Sequence, residues 1–269
     1  MNLEIKRFLT QLCASILYNI NFFTKKPISL RSYCVPGLNC QWCPGAATGC
    51  PLGRLQLLFN GGLSKAKFVA LASILLPSLL LGRIICGWLC PFGLLQDLLY
   101  KIPSPKIGKS VWTARLSCLK YVLAVFFILL LPLFIIFTNG NLDPAFCSDF
   151  CPNGLLNALI MISQGNPFGY ALINDFRILL GVVLLITAIF IYRPFCRFIC
   201  PLGAWYSLFS KLSIFAIKVD ESKCISCNKC IRHCLMDCQK VGDAECIGCG
   251  KCKGICPTKA ISYGIRYKK

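Results

Sequence analysis

The chain has 269 residues, 56% of them hydrophobic and 14% charged, with a mean hydropathy of +0.66 and a formal net charge of +19. Soluble domains carry about 25% charged residues, so this composition excludes an ordinary water-soluble fold and indicates a membrane protein. Beside long uncharged stretches, the cationic excess reads as the bias of membrane-flanking segments rather than as nucleic-acid binding.

In chain order, the first uncharged stretch runs from Phe8 to Phe23 and contains Gln11, Asn19 and Asn21. No signal-peptide cleavage pattern follows Lys6-Arg7, so this first helix is expected to be retained. Three further stretches are Phe68 to Gly82 continuing past Arg83 to Cys90, Tyr121 to Thr138, and Ile178 to Tyr192. Each is close to or slightly short of the roughly 20 residues that cross about 30 Å of hydrocarbon, which leaves little room for tilt and makes flanking arginines snorkel. Residues 139 to 176 hold no Lys or Arg, residues 83 to 115 hold five and residues 193 to 269 hold fourteen. The rule that cationic loops stay inside then puts both termini in the cytoplasm, with four spans of a prokaryotic cytoplasmic membrane between them. Residues 24 to 67, with six Lys or Arg, run against that rule.

One phrase recurs at the ends of these stretches: CPLGRLQLLF from 50, CGWLCPFGLLQDLL from 86, CSDFCPNGLLNALI from 147 and CRFICPLGAWYSLF from 196. Paired thiols repeated in this way suit a thiolate-ligated metal cluster better than small buried hydrophobes, the reading kept for the isolated Cys13 and Cys118. On four spans, Cys86, Cys90, Cys196 and Cys200 meet at the inner face, enough for one [4Fe-4S] cluster. Both inner phrases extend to R-x2-C-x3-C-P-x-G, so Arg83 and Arg193 are expected beside that cluster, where they offset its negative charge. Proline ends the span, glycine turns the chain, and LLQDLLYKI and AWYSLFSKL are expected as amphipathic helices along the interface. Gln96 and Asp97 read as ordinary polar residues of such a helix, or as contacts for a quinone.

The outer face receives Cys34, Cys40, Cys43, Cys50, Cys147 and Cys151, six thiols for a site of four. Cys147 and Cys151 lead as ligands of an outer cluster, followed by Cys43 and Cys50, each placed before a proline. Cys34 and Cys40 are left for a disulfide or another ligand, and a wholly disulfide-bonded outer face is the alternative.

From residue 219 the chain turns polar and cysteine-rich, which divides it into 1–218 and 219–269. CISCNKCIRHC from 224 and CIGCGKCKGICP from 246 share the C-x2-C-x2-C-x3-C run of two-cluster ferredoxins, in which the fourth cysteine serves the other cluster. That assigns Cys224, Cys227, Cys230 and Cys256 to one [4Fe-4S] cluster, and Cys246, Cys249, Cys252 and Cys234 to a second. Structural zinc is the alternative for C-x2-C pairs. Leu235 stands where proline is expected after Cys234, and Cys238 is an extra thiol that could replace it. His233, the only histidine, reads as a surface or packing residue, and its solitude excludes a bis-histidine haem in the spans.

With these residues in view, the chain resembles the NapH-type membrane iron-sulfur proteins, relatives of the quinol dehydrogenases of periplasmic nitrate reduction and of the membrane part of the nitrous-oxide-reduction regulators. The resemblance rests on four spans, the C-x3-C-P elements at Cys86/Cys90 and Cys196/Cys200, and the two ferredoxin motifs. It implies a mainly α membrane protein with a small α+β ferredoxin domain, passing electrons between a membrane quinol or a cytoplasmic donor and an outside partner. The 34 to 50 cysteines and Cys147/Cys151 depart from the nitrate-linked members. Electron relay through the clusters is the expected function; a quinol dehydrogenase and a redox assembly or regulatory protein are the alternatives. Donor and acceptor proteins are the expected partners; no covalent flavin attachment sequence is present, so any covalent flavin would belong to a partner flavoprotein. Clusters at opposite edges of about 30 Å of hydrocarbon would exchange electrons too slowly unless drawn inward or bridged by a quinone or flavin.

Overall fold

A single unit recurs along the chain: an apolar helix, a cysteine phrase, and a shorter helix opened by proline. The structure, a computed structural model, describes residues 3–23, 34–40, 46–56, 65–138, 146–163, 165, 168–171, 173, 175–236 and 238–266. The first unit comprises α1 (Leu3–Tyr18), Cys50 and α2 (Pro51–Gln56). In the second, α3 (Lys65–Leu81) leads to α4 (Ile84–Trp88), which carries Cys86, and then to Cys90 and α5 (Pro91–Leu99).

The third unit begins with a continuous helix over Val111–Phe137, built from α6 (Val111–Leu116), α7 (Leu119–Val125), a π turn at Phe126–Leu130 and α8 (Leu131–Phe137). A second π turn, Phe146–Phe150, carries Cys147 and precedes Cys151 and α9 (Pro152–Ser163). After α10 (Phe168–Ala171), the fourth unit has α11 (Asp175–Phe190), a π turn at Phe195–Ile199 carrying Cys196, then Cys200 and α12 (Pro201–Ser210). The chain closes with β1 (Phe215–Val219), α13 (Lys229–Arg232), α14 (Lys251–Ile255) and β2 (Ile261–Ile265). β1 and β2 pair antiparallel from Phe215↔Ile265 to Val219↔Ile261, so the sheet starts before residue 219.

Local chemistry sets these boundaries. Cys90 and Cys200 hold extended backbones (φ −80°, ψ 118° and φ −64°, ψ 111°), and the proline after each occupies the first helical position, where its missing N–H costs nothing. Ser110 and Thr113 form a reciprocal capping box at the start of α6.

Among the described residues only Val111–Phe137, 27 residues long, has the length and apolarity to cross a membrane. It begins ten residues before the span expected at Tyr121. Helices α1, α3 and α11 coincide with the other expected spans but have 16, 17 and 16 residues, so four full-length spans are not observed. Nor are α5 and α12 interfacial. α5 buries Phe92, Leu94, Gln96 and Asp97, and α12 buries Leu202, Tyr206, Ser207 and Ser210, so both lie inside the protein. Cys13 and Cys118, expected as buried small residues, are exposed.

One apolar core runs through the described structure. It holds Cys50 and Cys151, passes Tyr206, Phe92 and Phe195 to Cys86, Cys90, Cys196 and Cys200, and continues into the carboxy-terminal unit through Ile247 and Cys238.

Candidate iron-sulfur centres

Cys86, Cys90, Cys196 and Cys200 are all buried, and each lies within electrostatic reach of others of the set. The two phrases that supply them are locked by an exchange of arginines. Arg83, three residues before Cys86, donates to the carbonyl of Cys196 at 3.1 Å, and Arg193, three before Cys196, donates to the carbonyl of Cys86. Arg193 has a positive φ of 50°, a strained backbone for a non-glycine residue. Two bonds to the Asp97 carboxylate, at 2.7 and 2.6 Å, hold it there, and Asp97 also takes Arg7 at 2.6 Å. Asp97 is therefore an anchor for the arginine pair and not an ordinary surface residue.

Gln96 is likewise internal. Its amide nitrogen lies 3.1 Å from the Cys196 sulfur while its oxygen accepts the backbone N–H of Phe195 at 3.2 Å. The Cys200 sulfur accepts the N–H of Gly203 at 3.3 Å. Four thiols with amide donors and two guanidinium groups nearby make a soft, anionic, charge-compensated donor set, which fits a [4Fe-4S] cluster.

The glycine of the phrase has a different role from the turn expected of it. A Cβ on Gly93 would lie 3.0 Å from the Cys86 carbonyl oxygen and 3.1 Å from Nη1 of Arg193; on Gly203 it would lie 3.2 Å from the Cys196 oxygen, and on Gly154 3.4 Å from the Cys147 oxygen and from Nη1 of Arg177. Glycine lets the second helix close onto the carbonyl of the first cysteine.

Cys50, Cys147 and Cys151 repeat the pattern. With Cys40 they line one cavity of about 360 Å³. Arg177 donates to the Cys147 carbonyl at 2.7 Å, Gln56 accepts the N–H of Phe146 at 3.1 Å, and the Gln56 amide lies 3.9 Å from the Cys147 sulfur. Arg177 comes from the start of α11, so no arginine three residues before a cysteine announced it. Cys43 lies outside the described residues, and Cys40 and Cys50 are the described thiols of the 34 to 50 stretch that line this cavity. Cys50, Cys147 and Cys151 carry free thiols, unlike a wholly disulfide-bonded face. This second site is not remote from the first: Gly37 packs on the backbone of Cys90 and on Pro91, and Cys151 lies within electrostatic reach of Cys90.

In the carboxy-terminal unit, Cys234 lies within electrostatic reach of Cys246, Cys249 and Cys252. Cys238 is buried and faces Cys234 and Cys246. Its thiol, pushed up by those contacts, acts as a donor: chiefly for that reason Cys234 falls to about 6 and Cys246 to about 7. Cys224 is exposed, and Cys227, Cys230 and Cys256 are half-buried on the outer part of the unit. His233 is exposed and pairs with the Lys229 carbonyl. Among the described residues no group of three or more His, Cys, Asp or Glu side chains is already drawn together around a single metal ion.

The unit docks through its second cysteine loop. Ile247 enters the core beside Cys86 and Cys196, and its carbonyl meets Gly87 so closely that a Cβ there would be 2.1 Å away. Trp88 donates to the Gly248 carbonyl at 2.9 Å. Glu245 bonds both Arg83 and the fully buried Lys120, and takes the Tyr121 hydroxyl at 2.9 Å. Burial alone would raise the Glu245 carboxyl, but those two cations bring it down to about 2.

Residues 66–110, 122–166 and 176–219 match a family described as a 4Fe-4S binding domain, each segment holding one C-x3-C-P phrase, and residues 240–262 match a second family of the same description. An uncharacterized protein of Methanocaldococcus jannaschii is 30% identical over 231 residues, 82% of this chain and 88% of that one. The chain belongs to the 4Fe-4S binding domain family. Within it, the protein named as electron transport protein YccM of Escherichia coli is 30% identical over 177 residues, 63% of this chain and 46% of its own length. The regulatory protein NosR of Pseudomonas aeruginosa is 30% identical over 167 residues, 58% of this chain and 21% of its own length. No solved structure matches the chain. The family match makes this an iron-sulfur protein of the 4Fe-4S type.

Proposed function

We propose that the chain relays single electrons through four [4Fe-4S] clusters between a cytoplasmic donor and a membrane or outer-face acceptor. Cys224, Cys227, Cys230 and Cys256 would hold the outermost cluster and Cys234, Cys246, Cys249 and Cys252 the next. Cys86, Cys90, Cys196 and Cys200 would hold the third, with Arg83 and Arg193 beside it; Cys50, Cys147, Cys151 and Cys40, in place of Cys43, would hold the fourth. Such clusters take up and release one electron without bond breaking, and the protein supplies spacing and charge compensation.

The observation that carries this reading is Ile247, which lies between two cysteines of the ferredoxin unit and packs in the same core as the membrane thiols. A relay needs short, packed separations, and a core shared by Ile247 and the membrane thiols supports that reading. The resemblance to NapH-type proteins enters here as support for the same role.

Membrane placement is part of the proposal. Helices α1, α3, Val111–Phe137 and α11 turn large apolar side chains outward, among them Leu17, Leu76, Phe134 and Leu179, which suits lipid contact. Four crossings with both termini in the cytoplasm follow from the cation distribution. The cytoplasmic unit would then comprise the β1–β2 sheet and residues 219–269, on a membrane part covering most of 1–218.

The test is iron and acid-labile sulfide per chain with EPR of the reduced protein. About sixteen irons are expected, and about twelve when Cys86, Cys90, Cys196 and Cys200 are changed to serine. Unchanged iron in that variant reduces the molecule to a tethered ferredoxin.

A second reading, quinol oxidation, is favoured by a cavity of about 500 Å³ between α1, α5 and the ferredoxin unit, lined by Arg7, Phe8, Gln11, Leu94, Tyr192 and Lys251. Nε and Nη1 of Arg7 and Nε2 of Gln11 are buried there without partners, donors suited to a quinone carbonyl. Reduction of the clusters on titration with quinol would distinguish it from a relay fed by a cytoplasmic protein.

A further inference from the structure

Tyr206 stands six residues after Cys200, as Gln96 stands six after Cys90 and Gln56 six after Cys50. The two glutamines use this position alike. In each, Oε1 accepts the backbone N–H of the residue before a cysteine, Phe195 or Phe146, and the amide nitrogen faces that cysteine's sulfur. Tyr206 is fully buried, yet its hydroxyl has no hydrogen-bond partner among the described residues. Buried donors are costly to leave unmade, so the group needs an acceptor. Tyr206 shares its buried core with Cys50, Cys86, Cys90, Cys196 and Cys200, and the ionisable groups that act on it most are the Cys86, Cys50 and Cys90 thiols, then the Tyr18 hydroxyl.

Symmetry selects among these sulfurs. The exchanged arginines relate the Cys86/Cys90 phrase to the Cys196/Cys200 phrase, each arginine crossing to the other's first cysteine. By that relation Tyr206, which follows Cys200, corresponds to Gln96, which follows Cys90 and lies against Cys196, and its counterpart sulfur is that of Cys86.

Resting on the reading of these thiols as cluster ligands, we propose that Tyr206 is a tuning residue whose hydroxyl donates a hydrogen bond to a sulfur of the cluster held by Cys86, Cys90, Cys196 and Cys200, on its Cys86 side. A donor at sulfur stabilises the reduced, more negative cluster and raises its potential. The phenol stays neutral: one electron enters the cluster, and no proton or bond moves.

The experiment is an EPR-monitored redox titration of the purified full chain. Tyr206→Phe removes only the hydroxyl, and is expected to keep about sixteen irons while the potential of one membrane cluster becomes more negative and those of the ferredoxin clusters stay in place. Tyr206→Gln, which copies the glutamine of the other half, is expected to restore a potential near that of the parent. Full iron with unchanged potentials in Tyr206→Phe overturns the proposal. Should that variant lose iron, Tyr206→Gln against Tyr206→Met gives the same comparison, and equal potentials there overturn it too. If instead the Cys86, Cys90, Cys196 and Cys200 serine variant keeps all its iron, the ligand reading itself falls, whatever the tyrosine variants do.

Discussion

Gly93 illustrates how closely each cysteine phrase is folded on itself. A methyl group at this position meets the Cys86 carbonyl and the Arg193 guanidinium, neither of which has room to retreat, because Arg193 is fixed by Asp97 and by that same carbonyl. Gly93→Ala is expected to destabilise the protein by about 1–3 kcal/mol, the usual cost of overpacking, and to lower iron content; thermal unfolding followed by iron analysis measures both. Gln96→Leu keeps the volume but removes the donor at the Cys196 sulfur and leaves the Phe195 N–H unpaired. Its expected outcome is a more negative potential for one membrane cluster, read by redox titration.

The sequence motif placed both arginines beside one shared cluster and left open which phrase each would bond. They cross, and the crossing joins the second and fourth repeats into one site. α4 serves two partners in consequence, the other cysteine phrase on one side and the Ile247 loop on the other. Gly87→Ala, which forces a Cβ to 2.1 Å from the Ile247 carbonyl oxygen, is expected to loosen the ferredoxin unit while its own clusters stay bound. Faster hydrogen exchange over residues 244–250, with unchanged ferredoxin EPR signals, is the expected signature. The Glu245 latch is a second fastening. Glu245→Ala leaves Arg83 and Lys120 as buried, unpaired cations, an effect of about 3–5 kcal/mol by the general cost of breaking such pairs. It is expected to lower the unfolding midpoint more than Asp220→Ala, whose partner Lys223 is exposed.

Taken together, the repeats build one continuous core with thiols along it. The 34 to 40 segment reaches the Cys90 backbone through Gly37, so the two membrane thiol sites adjoin. Removing iron by chelation under reducing conditions is therefore expected to destabilise the helical part as well as the ferredoxin unit, seen as a lower helix-unfolding temperature by circular dichroism.

Cysteine spacing, proline and glycine placement and the cation distribution are local properties, and from them the sequence alone determined the repeated units, the ferredoxin character of the carboxy-terminal segment and the candidate ligand thiols. Contacts between residues about 100 apart leave no local pattern, so only the folded chain decided that Arg83 serves Cys196, that Gln96 and Asp97 lie inside, that Arg177 supports Cys147 and that Cys40 joins Cys50. The missed signal was present in part: a glutamine at the sixth position after a cysteine, in Gln56 and Gln96, acquires meaning once helix geometry turns that position toward the neighbouring phrase. Burial made the remaining decisions, because a polar group that cannot reach water must find its partner across the core.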